Sequence, residues 1–305
     1  MWLASARKII MKNIEIEKNL FKEEWNKIES LKPKPSNYKK LILLDHKEFV
    51  SKIYEQDLRF IKSIVESIYN GDLYILKNAI SKENVDKLID EIYNFSHSRP
   101  STFHKMLEGV PNFHRWIDEK AAVNYCIKHV KHSTFLFPWN KEMSFSQKVM
   151  MDACRPLKLL AGLSLHEFEN NTPKDKIIER LQVVRYPPSG YIEPHFDNSS
   201  LIRLIISGYL SKKGEHYEKG GFYLIDKKNG KLDMEDQIDA GDIGFFYATL
   251  RHGLDVIDPH KKPEFDKRDG RWWFGLNMHN SDEVEASKRH TAAPYKVSKI
   301  FQNKL

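Results

Sequence analysis

The sequence has few cysteines and no long apolar run. Two cysteines, Cys126 and Cys154, occur in 305 residues without a CxxC spacing, so neither a disulfide framework nor a cysteine-rich metal site is expected. No stretch approaches the roughly 18 apolar residues that a membrane-spanning helix needs. The apolar stretch within residues 1–10 is too short for a secretory signal. We therefore expect a cytoplasmic globular protein with no membrane span.

An excess of positive charge is concentrated near the start of the chain. The net charge is +7, from 49 Lys and Arg against 42 Asp and Glu, and residues 1–40 hold ten basic against five acidic residues. Such clustering is typical of an arm that binds nucleic acid or a membrane surface. Here, however, the basic residues alternate with glutamates and apolar residues. We expect a solvated helical extension, which either supports a homodimer or braces the rest of the protein.

The first half of the chain has mainly helical periodicity, with apolar residues recurring three or four positions apart. Proline at 33 and 35 ends the first helical stretch because it disfavours helix at and before its own position. Ser81 is expected to cap the start of a later helix. The predicted helices are residues 3–31, 46–69, a stretch after Ser81, and 144–168 with an interruption at Pro156.

The period changes to that of strands after about residue 180, where short apolar segments alternate with turns such as Asn229-Gly230. Many short strands at regular spacing are typical of an antiparallel sandwich or barrel. We predict an α+β fold, a double-stranded β-helix (jelly roll) with packed helices. The expected domains are a helical extension over 1–70, a jelly roll over 71–280 with a helical insert at about 95–175, and a tail over 281–305. The predicted strands are Leu181–Tyr186, Tyr191–His195, Leu201–Leu210, Gly221–Asp226, Lys231–Met234, Ile243–Tyr247, His252–Ile257 and Arg271–Met278.

One candidate metal site lies in the strand-rich half. His195-Phe196-Asp197 is an HxD motif, and side chains two positions apart in a strand point the same way. A third ligand must come from elsewhere, and His252 opens a predicted strand 55 residues beyond Asp197. Two histidines and one carboxylate on one face of a metal form the facial triad of non-haem iron(II) oxygenases.

The surroundings of this motif resemble a known family. Residues 181–198, LQVVRYPPSGYIEPHFDN, form a strand ending in Tyr186, a glycine-containing turn and a strand that carries the HxD motif. This order resembles the prolyl-4-hydroxylase-like group of 2-oxoglutarate/iron(II) dioxygenases. The resemblance continues through Gly220-Gly221 and through Gly241-Asp242 ahead of His252, and it covers roughly residues 71–280.

The resemblance implies a ligand set and two co-substrates. His195, Asp197 and His252 would hold Fe(II), and 2-oxoglutarate and O₂ would bind beside it. A basic residue after the distal histidine would hold the far carboxylate of 2-oxoglutarate. Arg271 begins an aromatic strand 19 residues after His252, and Arg268 is its rival because residues 259–269 look inserted. By the same resemblance Tyr209 would bind this carboxylate, and Tyr186 and Tyr191 would line the pocket or pack in the sheet.

The expected reaction is hydroxylation of an unactivated C–H bond. Halogenases in this group have Gly or Ala where this chain has Asp197, so halogenation is not expected. A small molecule such as an amino acid, a sugar or a specialised metabolite is the expected substrate. A prolyl or other protein residue is the alternative, and a nucleic-acid substrate is not expected. Two further hypotheses stay open: an inert jelly-roll interaction protein, and a metal protein that acts without 2-oxoglutarate.

Overall fold

The computed structural model describes residues 19–107, 109–284 and 293–294. Helices and strands are numbered below in chain order. The helices are α1 (Leu20–Leu31), α2 (His46–Glu55), α3 (Leu58–Tyr69), α4 (Lys82–His97), α5 (Glu119–Ala122) and α6 (Ser144–Leu160). The strands are β1 (Leu41–Asp45), β2 (Leu73–Lys77), β3 (Phe113–Ile117), β4 (His129–Leu136), β5 (Ile177–Tyr186), β6 (Tyr191–Phe196), β7 (Leu204–Tyr209), β8 (Gly221–Asp226), β9 (Gly230–Asp233), β10 (Ile243–Tyr247), β11 (His252–Asp255), β12 (Arg271–Asn280) and β13 (Ala293–Pro294).

Strands β5 to β12 form the jelly roll. The order β10-β7-β12-β5 makes one sheet and the order β6-β11-β8-β9 makes the other, so most consecutive strands lie in opposite sheets. Strands β2 and β1 extend the first sheet beyond β10, and β4 pairs with both β5 and β6. The predicted fold class, an α+β jelly roll with packed helices, is confirmed.

The predicted strand positions agree closely with the structure because alternation and turn residues mark them. Gly221–Asp226 and Ile243–Tyr247 have the predicted bounds. The strand predicted to begin at Leu181 begins at Ile177 instead, where β5 pairs with the far end of β12. That additional pairing is long-range, so local sequence does not reveal it.

The predicted helices differ from the structure in their ends. The helix predicted over 3–31 begins at Leu20, where the Asn19 side chain accepts a hydrogen bond from Lys22 N–H; residues 1–18 lie outside the described part. The stretch 46–69 is two helices, because Gln56 is left-handed and Asp57 caps the second one.

The interruption predicted at Pro156 is wrong, since α6 runs from Ser144 to Leu160 through this proline. A proline inside a helix removes one backbone hydrogen bond. Here Cys154 and Leu157 on either side are both buried, which continues the apolar face across the proline.

The segment 95–175 is not the purely helical insert that the sequence suggests. It contains β3 and β4, which pair antiparallel, ahead of α6. The sequence does not reveal these strands, because they do not alternate in burial and several buried positions are occupied by histidine. His114 on β3 and His132 on β4 are buried and lie 3.0 Å apart, Nδ1 to Nε2.

The N-terminal helices pack on the helical layer and the first sheet. The indole N–H of Trp25 on α1 donates to Leu160 O at 2.6 Å. Glu29, one turn later, accepts hydrogen bonds from Arg203 Nε and from the Tyr247 hydroxyl, both at 2.9 Å. The apolar face of α1 is therefore used within the chain. None of the helices in the described ranges is long and apolar enough to cross a membrane.

Candidate metal centre and its cavity

Two histidines face each other across neighbouring strands of the second sheet. His195 lies near the end of β6 and His252 begins β11, and the two residues are direct partners in the antiparallel register. Their ring centroids are 4.3 Å apart. Pairing of β6 with β11 thus brings together two residues that are 57 positions apart in the sequence.

Asp197 completes the group from the residues that follow β6. Its backbone N–H donates to Ala248 O at 3.0 Å, which holds the chain here against the loop before β11. Its Oδ2 lies 3.5 Å from His252 Nε2 and 4.0 Å from His195 Nε2. One ligand atom from each of the three residues lies within 4.8 Å of the others. These are distances at which three donors can share one metal ion.

Backbone carbonyls set the orientation of both imidazoles. His195 Nδ1 lies 2.8 Å from Glu193 O, and His252 Nδ1 lies 3.0 Å from Leu250 O. A carbonyl only accepts, so each Nδ1 donates its proton and each Nε2 keeps a free lone pair. This second hydrogen bond is typical of metal-binding histidines. Both free lone pairs are on the nitrogens nearest Asp197.

Burial shifts the pKa of two members of the group. Burial, with His252 beside it, holds the pKa of His195 well below its usual value. Burial also raises the pKa of Asp197, against the opposing effects of His252 and Lys131. A neutral imidazole is the form that binds a metal, and a buried carboxylate is costly without a cation. Two imidazoles and one carboxylate, with an open side, fit Fe(II).

A cavity of about 490 Å³ opens on these three residues. Arg271, Tyr209 and Tyr186, the residues predicted to serve the co-substrate, all line it. They come from strands β12, β7 and β5 of the first sheet, opposite the histidines of the second. The fold therefore brings the predicted metal ligands and the predicted co-substrate residues into one space.

Arg271 is held by a buried glutamate that the sequence did not point to. Its Nε donates to Glu235 Oε1 at 2.8 Å and its Nη2 to Oε2 at 3.0 Å. Glu235 also accepts from the Tyr217 hydroxyl and from Phe222 N–H. Although burial alone would lower it, the charge of Glu235 raises the pKa of Arg271. Two of the donor positions on the guanidinium are thus fixed, and the remaining edge is available to a ligand.

Tyr209 presents a hydroxyl that makes no hydrogen bond of ordinary geometry among the described residues, although the Ser207 side chain is near enough to lower its pKa. The hydroxyl oxygen is buried. The centroid of the Tyr209 ring lies 5.7 Å from Arg271 Cζ. Burial raises the pKa of Tyr209, while the charge of Arg271 lowers it in part. Burial also raises the pKa of Tyr186 to about 12. A buried hydroxyl without a partner is costly, and a carboxylate bound beside Arg271 would satisfy it.

Arg268 and Tyr191 are placed elsewhere. Arg268 forms an ion pair with Asp90 at 2.5 Å and is 45% exposed. Tyr191 has its hydroxyl near Glu119 and does not line the cavity. Of the two arginines proposed for the co-substrate, the structure places only Arg271 in the cavity.

Two more cations in the cavity were missed by sequence reasoning. Lys131 on β4 and Arg180 on β5 both line it. In a sequence, a Lys or Arg within a strand reads as an outward-facing residue. Side chains an even number of positions apart on a strand share a face. Arg180 lies six positions before Tyr186 on β5, so it faces the same side as the predicted cavity residue Tyr186.

Comparison with known proteins gives similarity in structure alone. No protein-family model matches the chain, and no curated protein matches it. A Pseudomonas putida prolyl-4-hydroxylase is 13% identical, with 71% of this chain and 95% of that chain covered and a TM-score of 0.42. A full-length Neurospora crassa protein in complex with alpha-KG is also 13% identical (80% and 86% covered, TM-score 0.45). A Trichoplax adhaerens prolyl hydroxylase, in complex with a hypoxia inducible factor peptide, is 11% identical (78% and 99% covered, TM-score 0.43).

Proposed function

We propose that this protein is an Fe(II)- and 2-oxoglutarate-dependent dioxygenase that hydroxylates a C–H bond of a small molecule. The observation that carries the proposal is the convergence of two groups in one cavity. His195, Asp197 and His252 supply the donors of a facial triad. Arg271 and Tyr209 offer a guanidinium edge and an unpartnered hydroxyl on the facing sheet.

Each residue has a distinct task in this proposal. The two Nε2 atoms and the Asp197 carboxylate hold the metal on one side, which leaves the other side open to ligands. Arg271 binds the far carboxylate of 2-oxoglutarate because a planar guanidinium matches a carboxylate, and Glu235 keeps Arg271 in place. The Tyr209 hydroxyl donates to the same carboxylate. When bound, iron, 2-oxoglutarate and O₂ supply the oxidising chemistry, with succinate and CO₂ as by-products.

Apolar walls keep water away from the metal side. Phe222, Phe246 and Leu254 line the cavity and are buried. The Phe246 ring lies edge-on to the His252 ring at 5.1 Å between centroids. Exclusion of water strengthens the electrostatic interactions inside and limits side reactions.

Asp197 favours hydroxylation over halogenation. A carboxylate in this position occupies a coordination site that halide would otherwise use in the group this sequence resembles. Desaturation and ring closure use the same residues and stay within the proposal.

The size of the cavity supports a small substrate. About 490 Å³ is within the range of small-molecule sites, roughly 300–1,000 Å³. A protein residue is the alternative, because Met106 lines the cavity and nearby Phe103 and Leu107 are 63% and 41% exposed. An exposed apolar rim of this kind is typical of a surface that receives a peptide.

Binding measurements with matched variants test the proposal. Wild-type protein should bind one Fe(II) per chain, and Asp197→Ala should abolish this while exposed Asp236→Ala should not. Arg271→Gln should weaken 2-oxoglutarate binding at least about tenfold, since a charge-assisted pair is lost, and leave iron binding intact. Arg268→Gln is the matched control and should behave as wild type. Iron binding retained in Asp197→Ala would favour the inert jelly roll. Iron binding without any 2-oxoglutarate binding would favour a different metal chemistry.

A further inference from the structure

Lys131 and Arg180 are cations of the cavity with no carboxylate partner in the described part of the chain. The Lys131 ammonium makes no hydrogen bond or ion pair there. Arg180 Nη2 contacts Gln182 Oε1 at 3.1 Å and His279 Nε2 at 2.8 Å, and both of these partners are uncharged. Arg180 Nε is buried and has no hydrogen-bond partner among the described residues. Among the described residues that line the cavity, Asp197 is the only carboxylate.

In the described part of the chain, two of the fully buried cations have carboxylate partners, and a third, Arg185, bonds backbone carbonyls although its Nε has no partner. Lys158 has Glu179 at 2.5 Å, and Arg271 has Glu235. Arg185 donates to the carbonyls of Glu264, Phe265 and Asp269. Lys131 and Arg180 are only partly buried, but two cations without a carboxylate partner in one cavity still favour a bound anion, because removing charge from water is costly.

The electrostatics of the two side chains support this interpretation. Burial, with Arg180 and Arg115 nearby, lowers the pKa of Lys131 to about 8. Burial and the charge of Arg115 lower the pKa of Arg180 to about 9. Nearby positive charges thus make the two cations less stable, and a bound anion would reverse the effect.

On the basis of the proposed function, the formal charges of the loaded site also favour a bound anion. Fe(II), Asp197 and doubly charged 2-oxoglutarate together leave one negative charge, and Arg271 with Glu235 is neutral. Lys131 and Arg180 add two positive charges, so one positive charge remains. A singly charged group on the substrate would neutralise it.

The position of Lys131 relates this anion to the metal. Lys131, Arg180 and Asp197 all line the cavity, and the charges of Arg180 and Asp197 act on the pKa of Lys131 in opposite directions. Asn277, the direct register partner of Arg180 on β12, also lines the cavity. A group held by Lys131 and Arg180 would therefore share one space with the metal ligands.

We infer that the substrate carries a carboxylate or phosphate group, bound by Lys131 and Arg180, and that these residues determine specificity. The substrate class is thus an anionic small molecule such as an amino acid, another organic acid or a phosphate ester. The inference deepens the proposed function, since it concerns the second ligand of the same cavity.

The first test uses inorganic phosphate as a probe of metal-free protein, by calorimetric titration. Wild type should bind phosphate, and Lys131→Gln and Arg180→Gln should each weaken binding at least about tenfold. Exposed Lys128→Gln, on the same segment, is the matched control and should bind as wild type. Arg180→Lys keeps the charge and should retain most of the affinity, which separates loss of charge from misfolding. Absence of phosphate binding, or unchanged binding in Arg180→Gln, would overturn the inference, whatever the iron titration shows.

The second test uses turnover. Succinate release should be stimulated by carboxylic acids but not by their primary amides, or by phosphate esters but not by their parent alcohols. Stimulation by acids would identify the substrate group as a carboxylate, and stimulation by phosphate esters would identify it as a phosphate. In Arg180→Gln the KM for the anionic compound should rise at least about tenfold while 2-oxoglutarate affinity stays unchanged. Equal stimulation by neutral compounds would contradict the inference, as would a loss of 2-oxoglutarate affinity equal to that in Arg271→Gln.

Discussion

At the scale of single residues, the cavity contains one charged side chain, Arg271, that is paired with a carboxylate and other polar side chains that are not, within the described ranges. Glu235 satisfies Arg271 through two hydrogen bonds and is itself held by Phe222 N–H. Replacing one partner of such a buried pair typically costs about 3–5 kcal/mol. Arg271 is therefore a rigid anchor, and the open groups beside it, above all the Tyr209 hydroxyl, are available to a ligand.

Tyr209→Phe separates binding from stability. The variant removes only a hydroxyl that is buried and unpartnered in the described structure. We expect the free energy of unfolding in urea to change little, because the hydroxyl makes no hydrogen bond of ordinary geometry in the described structure and loses only its contact with the Ser207 side chain. The dissociation constant for 2-oxoglutarate should rise about two- to tenfold, as expected for one hydrogen bond of about 0.5–1.5 kcal/mol. Unchanged 2-oxoglutarate affinity in a folded variant would remove Tyr209 from the site.

The residues that the sequence identified at this scale are those with distinctive chemistry. A bare HxD pair is common by chance, and His195, Asp197 and His252 were singled out because the motif stands within a run of ordered strand and turn motifs that resembles a known family. Glu235, Lys131 and Arg180 were not identified, because charged residues are mostly exposed and only long-range packing buries Glu235 and turns the two cations into the cavity. Their partners, or lack of partners, come from other strands.

At the scale of elements, α1 is part of the body of the protein. Trp25 is fully buried, donates to Leu160 O and packs near the rings of Tyr69 and Tyr247. The basic character of the N-terminal region therefore does not make the described part of it a free arm.

Trp25→Ala tests how much α1 contributes. We expect the free energy of unfolding to fall by about 3–5 kcal/mol, because a large side chain and its hydrogen bond are removed from a core position. Leu31→Ala at the end of the same helix is the control, since Leu31 is 71% exposed, and should change stability by less than about 0.5 kcal/mol. The measurement is urea unfolding followed by circular dichroism. Equal stability of the two variants would show that α1 is not docked as described.

The turn after α6 should make the protein sensitive to acid. Burial alone would raise the pKa of Glu169, but hydrogen bonds from Arg155 and His166 and the charge of Lys158 lower it to about 2. A carboxylate whose pKa is lower in the folded state stabilises the fold above its ordinary pKa of 4.5, and this contribution is lost as the pH falls towards 2. The difference corresponds to roughly 3 kcal/mol.

Glu169→Gln measures this contribution. Between pH 5 and pH 3 the urea midpoint of wild type should fall more steeply than that of the variant, because the variant has no carboxylate to protonate. Glu48→Gln is the control, since the Glu48 side chain is 70% exposed, and should keep the slope of wild type. Parallel slopes in wild type and Glu169→Gln would contradict the assignment.

Elements were predictable where local sequence determines them. Turns and alternation marked the eight jelly-roll strands, and the Ser81 cap was identified correctly, since its side chain accepts from Asn84 N–H. Strands β3 and β4 were missed because buried histidines replace apolar residues at their inward positions. Strand β1 was missed because it is short and, among the described strands, pairs only with β2, in parallel, so its formation depends on a neighbour 32 positions away.

At the scale of the whole molecule, the jelly roll supplies the geometry of the site. One sheet carries the two histidines on adjacent strands, and the facing sheet carries Arg271 and Tyr209 on adjacent strands. The cavity lies between the two sheets, so metal ligands and anion-binding groups approach from opposite sides. The jelly-roll class was predictable from the run of short strands. The cations between the two sheets became evident only from the packing of the strands.

The most direct test of this account is an anaerobic titration of purified protein with Fe(II) and then 2-oxoglutarate, monitored by visible absorption. If metal and co-substrate bind side by side in this cavity, a weak charge-transfer band should appear at one equivalent of each. The band should be absent in Asp197→Ala, should need at least about tenfold more 2-oxoglutarate in Arg271→Gln, and should be unchanged in Arg268→Gln. Folded, iron-loaded wild-type protein that shows no band on addition of 2-oxoglutarate would contradict the account.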